Sequence, residues 1–282
     1  MIRNLKHMDF QTKLNTNIEK NNSLVCVGLD PEFSKLPEHI QKLENPQFEF
    51  NKAIIDKTHD LAAVYKPNPA FYEARGDRGV RELKMTCDYI RETYLEVPII
   101  IDAKRGDIGN TNEGYADYVF DYLGGDAITV MPYMGIESLS AFFSREGKGV
   151  IVGCHSSNSG AGEFQELIIE DGLALYEVVA EELVKQHGRN PNAMIFMGAT
   201  YPGQIAKIRE ITGNMTFLVP GVGAQGGDVK AFMEAGLNAE LKGLLINSSR
   251  GIIFASNGKD FADRAREETL KLRDEINLYR II

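Results

Sequence analysis

Short apolar runs recur along the 282-residue chain, and each ends in a polar or glycine-rich turn followed by a stretch with helical spacing. The runs fall at 23–30, 63–67, 97–102, 127–132, 149–154, 193–198, 215–220 and 243–247. Val97-Pro98-Ile99-Ile100-Ile101 shows no polar alternation, which marks a strand buried on both faces. Amphipathic stretches such as 81–94, 173–187 and 228–235 lie between the runs. Eight strands alternating with helices predict an α/β fold, a closed (β/α)8 TIM barrel with its helices outside. An open doubly wound sheet would want a G-x-G-x-x-G turn after the first strand, where the chain instead reads Gly28-Leu29-Asp30-Pro31. Residues 9–22 predict an N-terminal helix capping the barrel's amino end, and 260–278 predict the last outer helix. No linker or composition shift interrupts the pattern, so residues 1–282 are expected to form one domain.

Composition narrows the function. A net charge of -9 argues against nucleic acid and anionic membrane surfaces as partners. An anionic ligand would then have to be attracted by a local cluster of cations and backbone amides. No stretch approaches eighteen apolar residues, and the first twenty lack an apolar signal core. The three cysteines, Cys26, Cys87 and Cys154, have no metal-like spacing, and reduced thiols in a cytoplasm are expected.

Chemistry in such a barrel sits at the carboxyl ends of the strands. The residues expected there are Asp30, Lys66, Asp102, Lys104, Asp107, Thr129, Ser156, Ser157, Asn158, Gln225 and Arg250. Period-two alternation puts Asp102 and Lys104 on one face of a strand, whereas Asp107 is offset by an odd count and need not follow them. An isolated D-x-K-x-x-D is as readily a structural ion pair as a working site. A lysine on each of two adjacent strands, both expected to be buried, favours the working site. Lys66 is expected to point inward because it follows Val64-Tyr65 and precedes Pro67.

Gly221-Val222-Gly223-Ala224-Gln225-Gly226-Gly227 follows the seventh run and opens a helical stretch. Glycines let backbone amides approach an anion, and a helix N-terminus favours negative charge. Alone, such a loop is a plain turn. With Arg250 after the eighth run, in the usual phosphate-binding position of this fold, a phosphate site is the better reading. Ser156-Ser157-Asn158-Ser159 ends the fifth run with short hydrogen-bonding side chains, suited either to a turn or to reading the edge of a polar ring. There is no G-x-S-x-G elbow, and no His/Glu set has evident metal-ligand spacing.

Five motifs agree with one family. Val-Gly-Leu-Asp-Pro (27–31), Tyr-Lys-Pro-Asn (65–68), Asp-Ala-Lys-Arg-Gly-Asp-Ile-Gly-Asn-Thr (102–111), Val-Pro-Gly-Val-Gly-Ala-Gln-Gly-Gly-Asp (219–228) and Asn-Ser-Ser-Arg-Gly-Ile (247–252) resemble orotidine 5'-phosphate decarboxylase. The long insertion after the fifth run and the Ser-Ser-Asn sequence resemble its bacterial long-chain (type 2) subgroup. Ser159 departs from the pattern, where proline is expected after the asparagine.

The resemblance implies cofactor-free and metal-free decarboxylation of orotidine 5'-monophosphate. Lys104 would protonate C6, with Asp102 beside the substrate carboxylate and Lys66 pairing with that array and the ribose. Asp107 would reach into the partner's site in a homodimer. Asp30 would hold ribose hydroxyls, and Ser157 and Asn158 would read the ring. Gln225 and Arg250 would bind phosphate, and Thr111 and Pro220 fall among the implied substrate-binding positions. Two other readings are open: a magnesium-dependent sugar-phosphate decarboxylase or aldolase of the same barrel type, and a non-catalytic nucleotide-binding barrel. Intact Lys104 with both aspartates argues against the last.

Overall fold

In the computed structural model, which describes residues 8–169, 172–198, 202–221 and 229–280, all eight apolar runs contain strands. They are β1 Val25–Leu29, β2 Val64–Pro67, β3 Ile100–Arg105, β4 Ala127–Val130, β5 Gly149–His155, β6 Ala193–Met197, β7 Phe217–Pro220 and β8 Leu244–Ser248. The strands are parallel and lie in the order β2-β1-β8-β7-β6-β5-β4-β3. Tyr65 on β2 bridges Ile99, just before β3, and its N–H donates to the Pro98 carbonyl at 3.1 Å, which brings the two edges of the sheet into a barrel. The missing polar alternation has its expected cause: β1, β2, β4, β5 and β6 are buried at every position. One boundary differs in a way that matters. β3 runs three residues past the expected end at Asp102, carrying Lys104 and Arg105 within the strand.

Around the barrel run α1 Phe10–Asn21, α2 Pro46–Thr58, α3 Gly76–Thr93, α4 Gly109–Ala116, α5 Leu175–His187, α6 Pro202–Thr212, α7 Val229–Gly236 and α8 Phe261–Asn277. The expected capping helix is α1, whose N-cap Asp9 accepts from the Thr12 N–H. Its contacts lie at the amino ends of the strands. The Phe10 ring occupies the space a Cβ at Gly149 would need, and Asn17 donates to the Ala62 and Ala63 carbonyls. Lys13, also buried, pairs with Asp126 at 2.8 Å. The amino end is thereby closed by packing and paired charge, leaving the carboxyl end for chemistry. The cysteines are buried and free, and burial pushes the Cys26 and Cys87 thiols up to about 12.

A buried carboxylate ties the outer layer to the loops above β1 and β2. Pro46 opens α2 without an N–H of its own, and the next two amides, of Gln47 and Phe48, both donate to Glu82 on α3. Arg75 donates to the other Glu82 oxygen at 2.6 Å and to Gln47 Oε1 at 2.8 Å. Gln47 in turn donates to the Pro31 and Phe71 carbonyls, just beyond Asp30 and Lys66. Glu82→Ala leaves a guanidinium and two amides without this partner, so it is expected to lower stability by about 3 kcal/mol or more. Urea unfolding of the two proteins measures this, and a loss below about 1 kcal/mol would show that the carboxylate is dispensable.

Candidate active site

Asp102, on β3, is the centre of the site. Its Oδ2 accepts from the Lys66 ammonium on β2 at 2.9 Å, and its Oδ1 accepts from the Lys104 ammonium at 2.6 Å and from the Thr129 hydroxyl on β4 at 2.8 Å. Lys66 is 3% exposed, so its charge is held inside the barrel as its flanking residues predict. Lys104 corrects the expectation of two buried lysines, because its side chain is 48% exposed. It rises past Asp102 to the mouth, with its ammonium 5.7 Å from the centre of the Phe196 ring.

Asp102 and Lys66 hold one another ionised. Burial disfavours the Asp102 carboxylate, but Lys66 and then Lys104 outweigh it, and the carboxyl lies well below the usual carboxylate range. Burial likewise disfavours the Lys66 ammonium, yet Asp102 and Asp30 raise it above the ordinary lysine value. The Asp102–Lys66 pair is thus fully charged at neutral pH.

A cavity of about 250 Å3 opens onto the array, lined by Lys66, Asp102, Lys104, Ser156, Ser157, Asn158, Phe196, Leu218 and Pro220. Both ring-reading candidates, Ser157 and Asn158, therefore share one space with the charges. The Ser157 backbone can lie there because Gly198 faces it, where a Cβ would stand 2.6 Å from the Ser157 nitrogen. The loop after β5 is braced by residues that carry no motif. Gln165 accepts the Ser156 N–H at 2.7 Å, and Glu166 accepts from Gln204 and pairs with buried His155 at 3.1 Å. No local spacing could have revealed these braces, since they connect a long insertion back to its own strand.

Asp30 stands at the end of β1, accepting the Asn68 N–H at 3.2 Å, so the Val-Gly-Leu-Asp-Pro and Tyr-Lys-Pro-Asn motifs meet. Pro220 ends β7 at the edge of the cavity, while Gln225 lies outside the described residues. Arg250 is exposed and begins the short helix Arg250–Ile253 after β8. Thr111 is exposed on α4.

Asp107 does not join the Lys104 cluster of its own chain. Among the described residues Lys104 ion-pairs with Asp102 alone. The Asp107 loop is pinned by buried Asn112, which accepts the Asp107 N–H and donates to the Asp107 and Ser138 carbonyls. Among the described residues, no group of three or more His, Cys, Asp or Glu side chains could hold a metal ion.

A parallel barrel with its fixed charges gathered in a strand-end cavity defines the class of barrel enzymes. Comparison with known proteins makes the class specific: residues 23–265 match the model of the orotidine 5'-phosphate decarboxylase / HUMPS family, and the chain belongs to that family. It is 46% identical over 275 residues to an orotidine 5'-phosphate decarboxylase of Cellvibrio japonicus, covering 97% of this chain and all of that one. A Flavobacterium johnsoniae protein of the same name is 47% identical over 264 residues, or 94% of this chain and 96% of the relative. Among solved structures, the Leishmania donovani OMP decarboxylase aligns with a TM-score of 0.83 at 37% identity, covering 97% of this chain and 99% of the other. A structure described as a putative orotidine-monophosphate decarboxylase from Toxoplasma gondii aligns at 0.87 with 34% identity, over 96% of each chain.

The array also sets a pH dependence. The Asp102 carboxyl titrates below its unfolded value of about 3.9, so its stabilisation is complete above roughly pH 5 and is lost as pH falls toward the folded value. Lys66 has the opposite sign: its stabilisation is present below about 10.4 and is lost as pH rises through the higher folded value. Asp102→Asn leaves two ammonium groups without their carboxylate and should cost about 3 kcal/mol or more across that window. The gap from wild type should narrow as pH falls from about 5 to 3. Urea unfolding at several pH values measures it, and a gap unchanged at the acid end would contradict the charged-array description.

Proposed function

We propose that this protein decarboxylates orotidine 5'-monophosphate to uridine 5'-monophosphate, the last step of de novo UMP biosynthesis, as a cofactor-free cytoplasmic carboxy-lyase. The observation that carries the reading is the Lys66–Asp102–Lys104 array, with a half-exposed ammonium at the mouth of the cavity that holds Ser157 and Asn158. Loss of carbon dioxide breaks the C6–carboxylate bond and leaves its electron pair on a ring carbon with no adjacent sink. A preorganised ammonium stabilises that charge without reorganising solvent. Lys104 then gives its proton to C6 and is reprotonated from water. Asp102 holds the Lys104 ammonium aimed beforehand, and Lys66 keeps Asp102 ionised. Asp102's two oxygens already accept from Lys66, Lys104 and Thr129, which favours ammonium chemistry over metal coordination at this carboxylate.

Asp30 holds the ribose hydroxyls, and Ser157 and Asn158 read the pyrimidine edge. Arg250 and Gln225 bind the phosphate, with Thr111 and Pro220 at the substrate's edge. Phosphate binding energy, remote from the reacting bond, positions the ring over Lys104. The deciding experiment follows the absorbance change on conversion of orotidine monophosphate with excess chelator present. Turnover is expected to be unaffected by the chelator. Strict dependence on added magnesium would move the chain to the sugar-phosphate branch.

The protein acts as a homodimer with shared sites, each completed by the partner's Asp107. Among the described residues Lys104 makes no ion pair with the Asp107 of its own chain, which supports this. Lys104→Ala and Asp107→Ala homodimers should each be nearly inactive. In a mixed dimer one site carries both defects and the other carries neither. Random reassortment of equal amounts should therefore restore roughly a quarter of full activity. No recovery after verified subunit exchange would rule out the shared site.

A further inference from the structure

The β3–β4 ladder contains a gap that the reading of β3 as a regular strand does not anticipate. Ile101 pairs with Ile128, and pairing resumes at Arg105 with Val130. Asp102, Ala103 and Lys104 therefore stand opposite Thr129 alone. Extra residues on one strand leave backbone groups without ladder partners and bend the chain locally. Lys104 takes up the bend at a φ of 47°, in the left-handed region that non-glycine residues seldom occupy.

Thr129 fills the gap with its side chain. Its hydroxyl is buried, accepts the Lys104 N–H at 3.0 Å and donates to Asp102 Oδ1 at 2.8 Å. A hydroxyl has one donor and two acceptor positions, so it can do both at once. The same Asp102 oxygen receives the Lys104 ammonium at 2.6 Å. Both ends of Lys104, its backbone amide and its charged tip, are thus tied to one point through two hydrogen bonds and an ion pair.

We infer that Thr129 is a positioning residue, which holds the three-residue excursion of β3 in place and thereby aims the Lys104 ammonium. Its kinetic consequence rests on the decarboxylase reading, whereas its structural consequence does not. Thr129→Val keeps the branched shape and removes both hydrogen bonds, and Thr129→Ser keeps the hydroxyl. Thr129→Val is expected to lower kcat by roughly tenfold to a hundredfold, the scale of a small misplacement of a reacting group. KM for orotidine monophosphate should stay within about threefold, because the ring and phosphate contacts are untouched. Thr129→Ser should remain within about threefold of wild type in both constants.

A second readout needs no turnover. Amide hydrogen exchange at Lys104 should accelerate by roughly tenfold or more in Thr129→Val and stay slow in Thr129→Ser. The Ala127 and Met131 amides, bonded to the Ile99 and Arg105 carbonyls on either side of the gap, should keep their protection in both variants. Unchanged Lys104 exchange in Thr129→Val would overturn the inference, as would an equal loss of kcat in the serine and valine variants. A wild-type protein that binds uridine monophosphate yet turns over no orotidine monophosphate would sink the decarboxylase reading alone, and the exchange data would still decide the role of Thr129.

Discussion

One carboxylate, on Asp102, holds the carboxyl end of this barrel together. It draws Lys66 inward from β2, anchors the Lys104 ammonium on its own strand, and accepts the Thr129 hydroxyl from β4. Three neighbouring strands are thus joined by ion pairs and a hydrogen bond to one carboxylate, at a point where a sheet ordinarily offers only its ladder. Burying such an arrangement is costly unless every oxygen and every ammonium is answered. Here the answer comes from strands rather than loops, so the group that would carry the chemistry is fixed before any ligand arrives.

The barrel was legible because strands buried on both faces must be apolar throughout, and the eight runs stand out from the amphipathic stretches between them. What the polar residues do was harder to read. The apolar run stops at Asp102, yet Lys104 and Arg105 continue β3. Period-two alternation brings Asp102 and Lys104 together on paper, but in the fold they meet through a bulge and a left-handed residue. Neither feature follows from a single strand, since each depends on the register chosen by β4. The odd offset of Asp107 left its direction open, and it is the turn beyond β3, pinned by Asn112, that decides it. The braces on the β5 loop, Gln165 and Glu166, and the Glu82–Arg75–Gln47 network went unread, since no motif or strand or helix period links these residues to their partners.

The two ends of the barrel divide the work. At the amino end, α1 and the Lys13–Asp126 pair are packed where no substrate is expected. At the carboxyl end, polar groups remain partly open, and their order is kept by second partners such as Asn68 for Asp30 and Asn112 for the Asp107 loop. The carboxyl end is therefore ordered by specific hydrogen bonds more than by apolar packing.

The position of the three-residue gap in the β3–β4 ladder bears on how such a barrel can diversify. The charged centre belongs to the strand framework, while Asp30, Ser157, Asn158 and Arg250, which we propose recognise the ligand, sit on separate connections after β1, β5 and β8. Insertions or exchanges in those connections leave the register of β3 against β4 untouched. New substrates can accordingly be tried by altering the rim, with the charged centre inherited intact. By the same reasoning, a one-residue deletion within 102–104 forfeits both the bend and the aim in a single mutational event, which confines variation at the heart of the site to side-chain replacement.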